Sequence, residues 1–217
     1  MNYINTPDIE REYVLNCYNI IAERFSQTRG YLWKGVKNFV NDIPTESSLL
    51  EVGCGNGKNL YRKDLDVHAC DICSKFCDMV RNTKPYVKIL QSCNLDLPYQ
   101  DESMDYVLSV AVIHHFSTHE RRHRAISELL RVLKVNGKLY LQVWAVEQPK
   151  KSRRRFSHGE NLVPFNPPNH NSPHDVNHRF YWVFKKNELR DMFLNYNVEI
   201  NNIFLEEGNW VAIVTKL

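Results

Sequence analysis

Apolar residues along the chain fall first into a helical rhythm and then into short runs. Ile9, Tyr13, Val14, Tyr18, Ile21, Ala22 and Phe25 recur at helical spacing behind Thr6-Pro7, a cap followed by a first-turn proline. An amphipathic helix therefore opens the chain. A polar, turn-like stretch follows, Phe25-Ser26-Gln27-Thr28-Arg29, and then a second helix over about 31–40 that Pro44 ends. From Ser48 onward, apolar runs predict strands over 49–52, 67–70, 87–90, 106–112, 138–143, 199–204 and 210–215. Helices fit between them: around Asn59, over 74–82, over 120–133 and over 186–194. Ile126, Leu129, Leu130 and Leu133 line one face of the 120–133 helix, with Asn136-Gly137 as its C-terminal turn. Strands alternating with helices specify an α/β sheet.

One segment has neither rhythm. Residues 147–176 hold five prolines (149, 164, 167, 168 and 173) and many Asn and His, which predicts a long irregular insertion. It follows the strand ending at Trp144, beyond the carboxyl edge where ligands of open α/β sheets bind, so it reads as a substrate lid. The densest basic run of the chain, Lys150-Lys151-Ser152-Arg153-Arg154-Arg155, lies inside it.

A length of 217 residues suits a single domain, 1–217, with helices over 6–40 placed before the first strand. A net charge of +3 permits a nucleic-acid substrate without requiring one, so the case rests on where basic residues cluster. No apolar run approaches the roughly 20 residues of a membrane span. The expectation is a soluble, cytoplasmic protein, with the nucleus as a second compartment. The six cysteines, at 17, 54, 70, 73, 77 and 93, read as reduced thiols. Cys70, Cys73 and Cys77 lack a fourth ligand at zinc-type spacing, so no metal is expected.

The chemistry starts at Leu49-Leu50-Glu51-Val52-Gly53-Cys54-Gly55-Asn56-Gly57, a buried strand running into a loop of alternate glycines. The third glycine comes one residue too early for a dinucleotide fingerprint, and the spacing is one residue short of a phosphate-binding loop. Asp71, at the end of the next strand, stands where an acid would hold ribose hydroxyls. The Glu51-x-Gly53-x-Gly55-x-Gly57 pattern resembles the S-adenosylmethionine (SAM) site of Rossmann-like methyltransferases.

Four segments in order sharpen that likeness: residues 25–29, the glycine loop, Val112-Ile113-His114-His115-Phe116-Ser117-Thr118-His119-Glu120-Arg121-Arg122, and Val143-Trp144-Ala145-Val146-Glu147-Gln148. With Arg179-Phe180-Tyr181-Trp182-Val183-Phe184 and Glu188-Leu189, they resemble the eukaryotic tRNA methyltransferases that complete 5-methoxycarbonylmethyluridine at the wobble position.

The resemblance implies a Rossmann-like class I methyltransferase fold: a seven-stranded, mostly parallel sheet with an antiparallel last strand and helices on both faces. It implies SAM as cofactor, held by Glu51, Gly53, Gly55, Gly57, Asp71, Ile72, Cys93, Asn94, Leu95 and Val110. Cys93 departs from the family pattern, standing where an acid commonly accepts the adenine amino group, and Asn94 or Asp96 could substitute. The implied reaction is methyl transfer to the carboxylate of 5-carboxymethyluridine at position 34. Such a nucleophile is already ionised at neutral pH, so alignment and desolvation matter more than acid–base help.

Arg29 and His115 are then candidate cationic donors to one carboxylate oxygen, with His114 and Trp144 shaping the pocket and stacking the uracil. One of the two histidines is also placed to cap the helix beginning near Thr118, and Trp144 could be core. Lys150, Lys151, Arg153, Arg154, Arg155 and Arg179 are candidate contacts to the anticodon loop. Asn166-Pro167-Pro168 follows no strand and is set aside as a catalytic motif. The resemblance also implies a small zinc-binding activator protein that adds a strand beside the edge at 86–90. Two other readings share the cofactor loop: a methyltransferase of small apolar molecules, and a catalytically silent SAM-binding scaffold.

Overall fold

The computed structural model describes residues 6–165 and 176–217. Seven strands form the main sheet: β1 (Ser48–Val52), β2 (Asp66–Asp71), β3 (Lys88–Gln91), β4 (Met104–Val110), β5 (Leu133–Trp144), β8 (Val198–Glu206) and β9 (Asn209–Lys216). Their spatial order is β3-β2-β1-β4-β5-β9-β8. The first five are parallel, and β9 runs antiparallel to both β5 and β8. This is the expected sheet. The order reverses between β1 and β4, which makes their carboxyl ends the ligand crevice of such a fold.

Side-chain alternation along the strands builds two cores. On one face Leu50 and Val52, Val107, and Leu139 and Leu141 pack against Ala125, Ile126, Leu129 and Leu130 of α5 (His119–Val132). On the other, Leu49, Leu108 and Tyr140 pack against α3 (Lys34–Asn41) and α4 (Ser74–Thr83) through Val36, Phe39, Val40, Cys77 and Val80. Neighbouring residues of one strand thus serve opposite layers, as a sheet covered on both sides requires.

The opening helix is continuous in position but not in winding. A π-helical stretch, Arg11–Asn16, joins α1 (Asp8–Glu10) to α2 (Cys17–Gln27). It re-phases the apolar stripe, so Cys17, Ile21 and Ala22 are buried, as is Glu10. Glu10 accepts from the backbone and hydroxyl of Ser117 and pairs with Arg121 at 2.7 Å, fastening the helix to the chain after β4.

Three expectations are corrected. No helix forms around Asn59; the chain turns there instead. Gly53, Gly55 and Gly57 all take positive φ, and the resulting turns tuck Asn59 beneath Glu51. Asn136-Gly137 does not end a helix but lies within β5, which begins directly after α5 at Leu133. Asn136 there has φ of +65°, and a Cβ on Gly137 would sit 2.8 Å from the Asp105 carbonyl oxygen. Finally, the 147–176 insertion is not wholly irregular. It contains β6 (Gly159–Phe165), which pairs antiparallel with β7 (Asn177–Val183) over seven residue pairs. Asn166-Pro167-Pro168 lies outside the described residues. The last predicted helix shortens to α6 (Glu188–Asp191). Among the described residues no helix is long and apolar enough to cross a membrane.

Candidate active site

A cavity of about 380 Å³ opens at the carboxyl ends of β1, β2 and β4. Of the residues expected to hold a cofactor, Glu51, Gly53, Gly55, Asp71, Ile72, Cys93, Asn94, Leu95 and Val110 line it. Gly57 does not. A Cβ there would meet Val80 of α4 at 2.9 Å, so this glycine serves packing and turning. Gly53 faces Val112, where a Cβ would clash at 2.3 Å, whereas Gly55 faces open space. The bare backbone that a ligand can lie on is therefore at Gly55.

Two buried carboxylates flank that bare backbone. Asp71 accepts the Gly55 N–H at 2.8 Å and the Cys73 N–H at 2.9 Å, one on each oxygen. Burial raises its pKa to about 6 against these bonds. Each oxygen keeps a lone pair for a diol. Glu51 accepts from Asn59 at 2.6 Å on Oε1, while its buried Oε2 has no partner. Burial pushes its pKa up to about 8, offset in part by Asn59 and Lys58. An unpaired carboxylate oxygen at a strand end suits a cationic ligand group.

At the far wall, burial raises the Cys93 thiol pKa, which leaves the sulfur a weak partner for a base edge. Asn94 fills the gap. Its Nδ2 donates to the Ala125 carbonyl at 3.1 Å, leaving the buried Oδ1 as a free acceptor. Asp96, the other candidate, lines the cavity from an exposed position. An ammonium acceptor, bare backbone, a diol acceptor and an amide acceptor beside Leu95 and Val110 together fit S-adenosylmethionine.

The acceptor side is an aromatic box. Arg29 lines the cavity with its guanidinium carbon 4.4 Å from the centre of the Phe25 ring. Burial, and then nearby Arg179, lower its pKa. Asn56 Nδ2 donates to the carbonyls of Ser26 and Arg29 at 3.2 and 3.4 Å, tying this turn to the glycine loop. Arg29, a candidate donor in the sequence, thus borders the same cavity as the glycine loop.

His115 is not the cationic donor expected. Its Nδ1 donates to the Phe180 carbonyl at 2.7 Å, so Nε2 accepts, and Tyr18 Oη supplies the proton at 3.1 Å. Burial holds its pKa down near 3. It is a neutral ring with both nitrogens committed. His114 is also neutral, its pKa driven well down by burial and by His115. Its Nδ1 accepts from the Trp144 backbone at 3.2 Å. Neither histidine caps α5; Thr118 does, through its hydroxyl.

Trp144 is 7% exposed and stacks on Tyr181 at 3.8 Å and 3°, and on Phe156 at 5.1 Å. Protein rings therefore cover the indole that sequence reasoning had offered to a uracil. Arg154 lies 4.9 Å over the same ring, whereas Lys150, Lys151, Arg153 and Arg155 are exposed with it on the surface. Arg179 parts from that group. It is 5% exposed and sits over Phe165 and Tyr181 at 5.2 and 5.3 Å, not on the basic surface.

Sequence reasoning missed Tyr18, Tyr181 and Asn59. Tyr18 hid in the apolar stripe of the first helix. Tyr181 contributed to a motif without a role. Asn59 was assigned to a helix that does not form.

A glycine-turn cofactor cavity at the switch point of this sheet defines the class I, SAM-dependent type of methyltransferase. Residues 50–141 match the family model described as a methyltransferase domain. A Methanosarcina mazei SAM-dependent methyltransferase shares the fold, with a TM-score of 0.68 at 19% identity over 86% of this chain and 98% of that one. So does the methyltransferase in complex with the Haloferax volcanii Trm112 methyltransferase activator, with a TM-score of 0.65 at 13% identity over 96% and 97%.

Sequence relatives are more specific. A Schizosaccharomyces pombe tRNA (carboxymethyluridine(34)-5-O)-methyltransferase is 34% identical over 96% of this chain and 98% of its own length. The Xenopus tropicalis protein of that name, alkbh8, is 32% identical over 99% of this chain. The chain belongs to this family of tRNA methyltransferases. It spans 42% of the frog relative and 35% of a mouse relative.

Proposed function

We propose that the chain methylates the carboxylate of 5-carboxymethyluridine at the wobble position of tRNA, with S-adenosylmethionine as donor. The observation that carries this reading is that, among the described residues, the two histidines on the side of Arg29 offer no free base. Both nitrogens of His115 are committed, and His114 presents only an N–H, whereas Arg29 makes no ion pair among the described residues. Such side chains are suited to hold an anionic acceptor, and a carboxylate needs no deprotonation.

Glu51, Asp71 and Asn94 would hold the ammonium, diol and adenine of SAM, which supplies an electrophilic methyl group when bound. Arg29 would pin one carboxylate oxygen, leaving the other to face the methyl. Phe25, Tyr18 and Phe76 exclude water around it, which strengthens the charge-assisted bond. The exposed run from Lys150 to Arg155 would meet anticodon phosphates. The names of the sequence relatives support this substrate. The small-molecule and scaffold readings lose ground to them.

A zinc-binding activator would pair with β3. That strand forms one edge of the main sheet and exposes Leu90 at 44%. The Haloferax complex supports such a partner. Labelled SAM supplied with tRNA bearing 5-carboxymethyluridine, with and without the activator, tests the whole reading. Label should enter the wobble nucleoside as an ester; its absence there under both conditions refutes the substrate.

A further inference from the structure

We propose that Arg179 and His114 form a donor-only subsite that selects a carboxylate over the corresponding carboxamide, which rests on the reaction proposed above. Arg179 is 5% exposed, its Nη2 donates to the Pro164 carbonyl at 3.4 Å, and the Tyr18 hydroxyl is a further hydrogen-bond partner of the guanidinium. Its Nε and Nη1 have no partner. His114 is 1% exposed, and because Nδ1 accepts from Trp144, its ring proton is on Nε2, which also has no partner.

The two groups converge on one ring. The His114 and Tyr181 centroids lie 4.9 Å apart, and the Arg179 guanidinium carbon lies 5.3 Å from the Tyr181 centroid. Burial first, and then the proximity of Arg179, lower the pKa of Arg29, and neither arginine makes an ion pair among the described residues. Every unpaired buried side-chain atom in this box, Nε and Nη1 of Arg179 and Nε2 of His114, is a donor. A folded protein leaves buried charged donors unpaired only at a cost in stability, which a ligand that supplies the partner removes.

The missing partner is an anionic oxygen with more than one lone pair, the carboxylate oxygen that Arg29 pins, so that the second oxygen stays free to face the methyl. A carboxylate satisfies the donors and neutralises the paired arginines. A carboxamide of the same shape replaces one oxygen with an NH₂ that cannot accept, and it leaves both arginines uncompensated. The discrimination is thus set at Arg179, inside the aromatic box, and not by the exposed basic run.

Two anticodon stem-loops decide the matter, identical except for 5-carboxymethyluridine or 5-carbamoylmethyluridine at the wobble position. Binding is measured with the chain in complex with its activator and with S-adenosylhomocysteine present. The unsubstituted protein should bind the acid about 100-fold more tightly than the amide. Arg179→Gln should shrink that ratio to within about fivefold while keeping its affinity for S-adenosylhomocysteine, and Arg179→Lys should restore part of it. Equal binding of the two RNAs by the unsubstituted protein overturns the subsite, even if Arg179→Gln fails to fold. A ratio unchanged in a folded Arg179→Gln variant overturns it too. Methyl transfer to the acid RNA without discrimination sinks the subsite alone, whereas no transfer at all sinks the functional reading with it.

Discussion

The Tyr18 hydroxyl lies 3.1 Å from His115 Nε2, and that contact fixes the imidazole as a neutral acceptor because Nδ1 already donates to Phe180. It also joins the opening helix to the turn after β4, two elements 97 residues apart. Tyr18→Phe strands a buried ring nitrogen. We expect a loss of about 1–2 kcal/mol in urea unfolding. Methyl transfer should fall through a misplaced acceptor, with KM for tRNA affected more than affinity for the cofactor.

Asp71 organises the glycine loop from the wall of the cavity, since its two oxygens hold the Gly55 and Cys73 amides. Asp71→Ala should therefore weaken SAM binding by about 100-fold or more and also lower stability. Calorimetric titration and thermal melts read the two effects separately. Full affinity in a stable variant would remove Asp71 from the site.

Glu51 and Asp71 make stability depend on pH with a definite sign. Their pKa values are raised by burial to about 8 and about 6, above ordinary values of 4.5 and 3.8. The folded state then binds more protons than the unfolded one between those limits. Their contribution is complete below about pH 4 and is lost as pH rises through 6 and then 8. The cofactor-free protein should lose stability from these groups across pH 5 to 8, and Glu51→Gln should flatten the upper part of that slope. Binding of a cationic cofactor group should draw Glu51 into its ionised form. SAM binding at pH 7 should then release a proton, visible as a buffer-dependent heat. A buffer-independent heat would contradict the assignment.

Arg29→Ala removes one of the cations that border the cavity, the one beside Phe25. Its kcat/KM should fall about 100-fold while SAM affinity stays within about threefold. Undiminished turnover would refute the clamp.

Leu90 on the edge strand should make the lone chain prone to association. Leu90→Glu should improve its solubility and weaken the complex with an activator by at least about tenfold. Clean monomeric behaviour and full activity of the unsubstituted chain alone would refute the partner.

Periodicity was enough for the sheet, because the strands alternate between two apolar layers and carry a strong signal in four to seven residues. Glu51, Gly55 and Asp71 were legible because turns and acids at strand ends leave a spacing in the chain. The acceptor side was not. Protonation at His115 depends on Phe180 and Tyr18, far away in sequence, so a histidine read as a cation proved to be a satisfied neutral ring. Arg179 looked like a surface base until β6 and β7 paired and drew it inward. Proline-rich composition had hidden β6, and Asn59 left its expected helix because three positive-φ glycines outweigh local helix preference.

The amide of Asn56 spans the carbonyls of Ser26 and Arg29 from within the glycine loop. The glycine loop and the turn that carries Arg29 are consequently kept in mutual register by one small side chain. Any displacement of the loop is passed to that turn, and with it to the backbone of the arginine at the border of the cavity. That linkage makes alignment between the two a property of the loop itself.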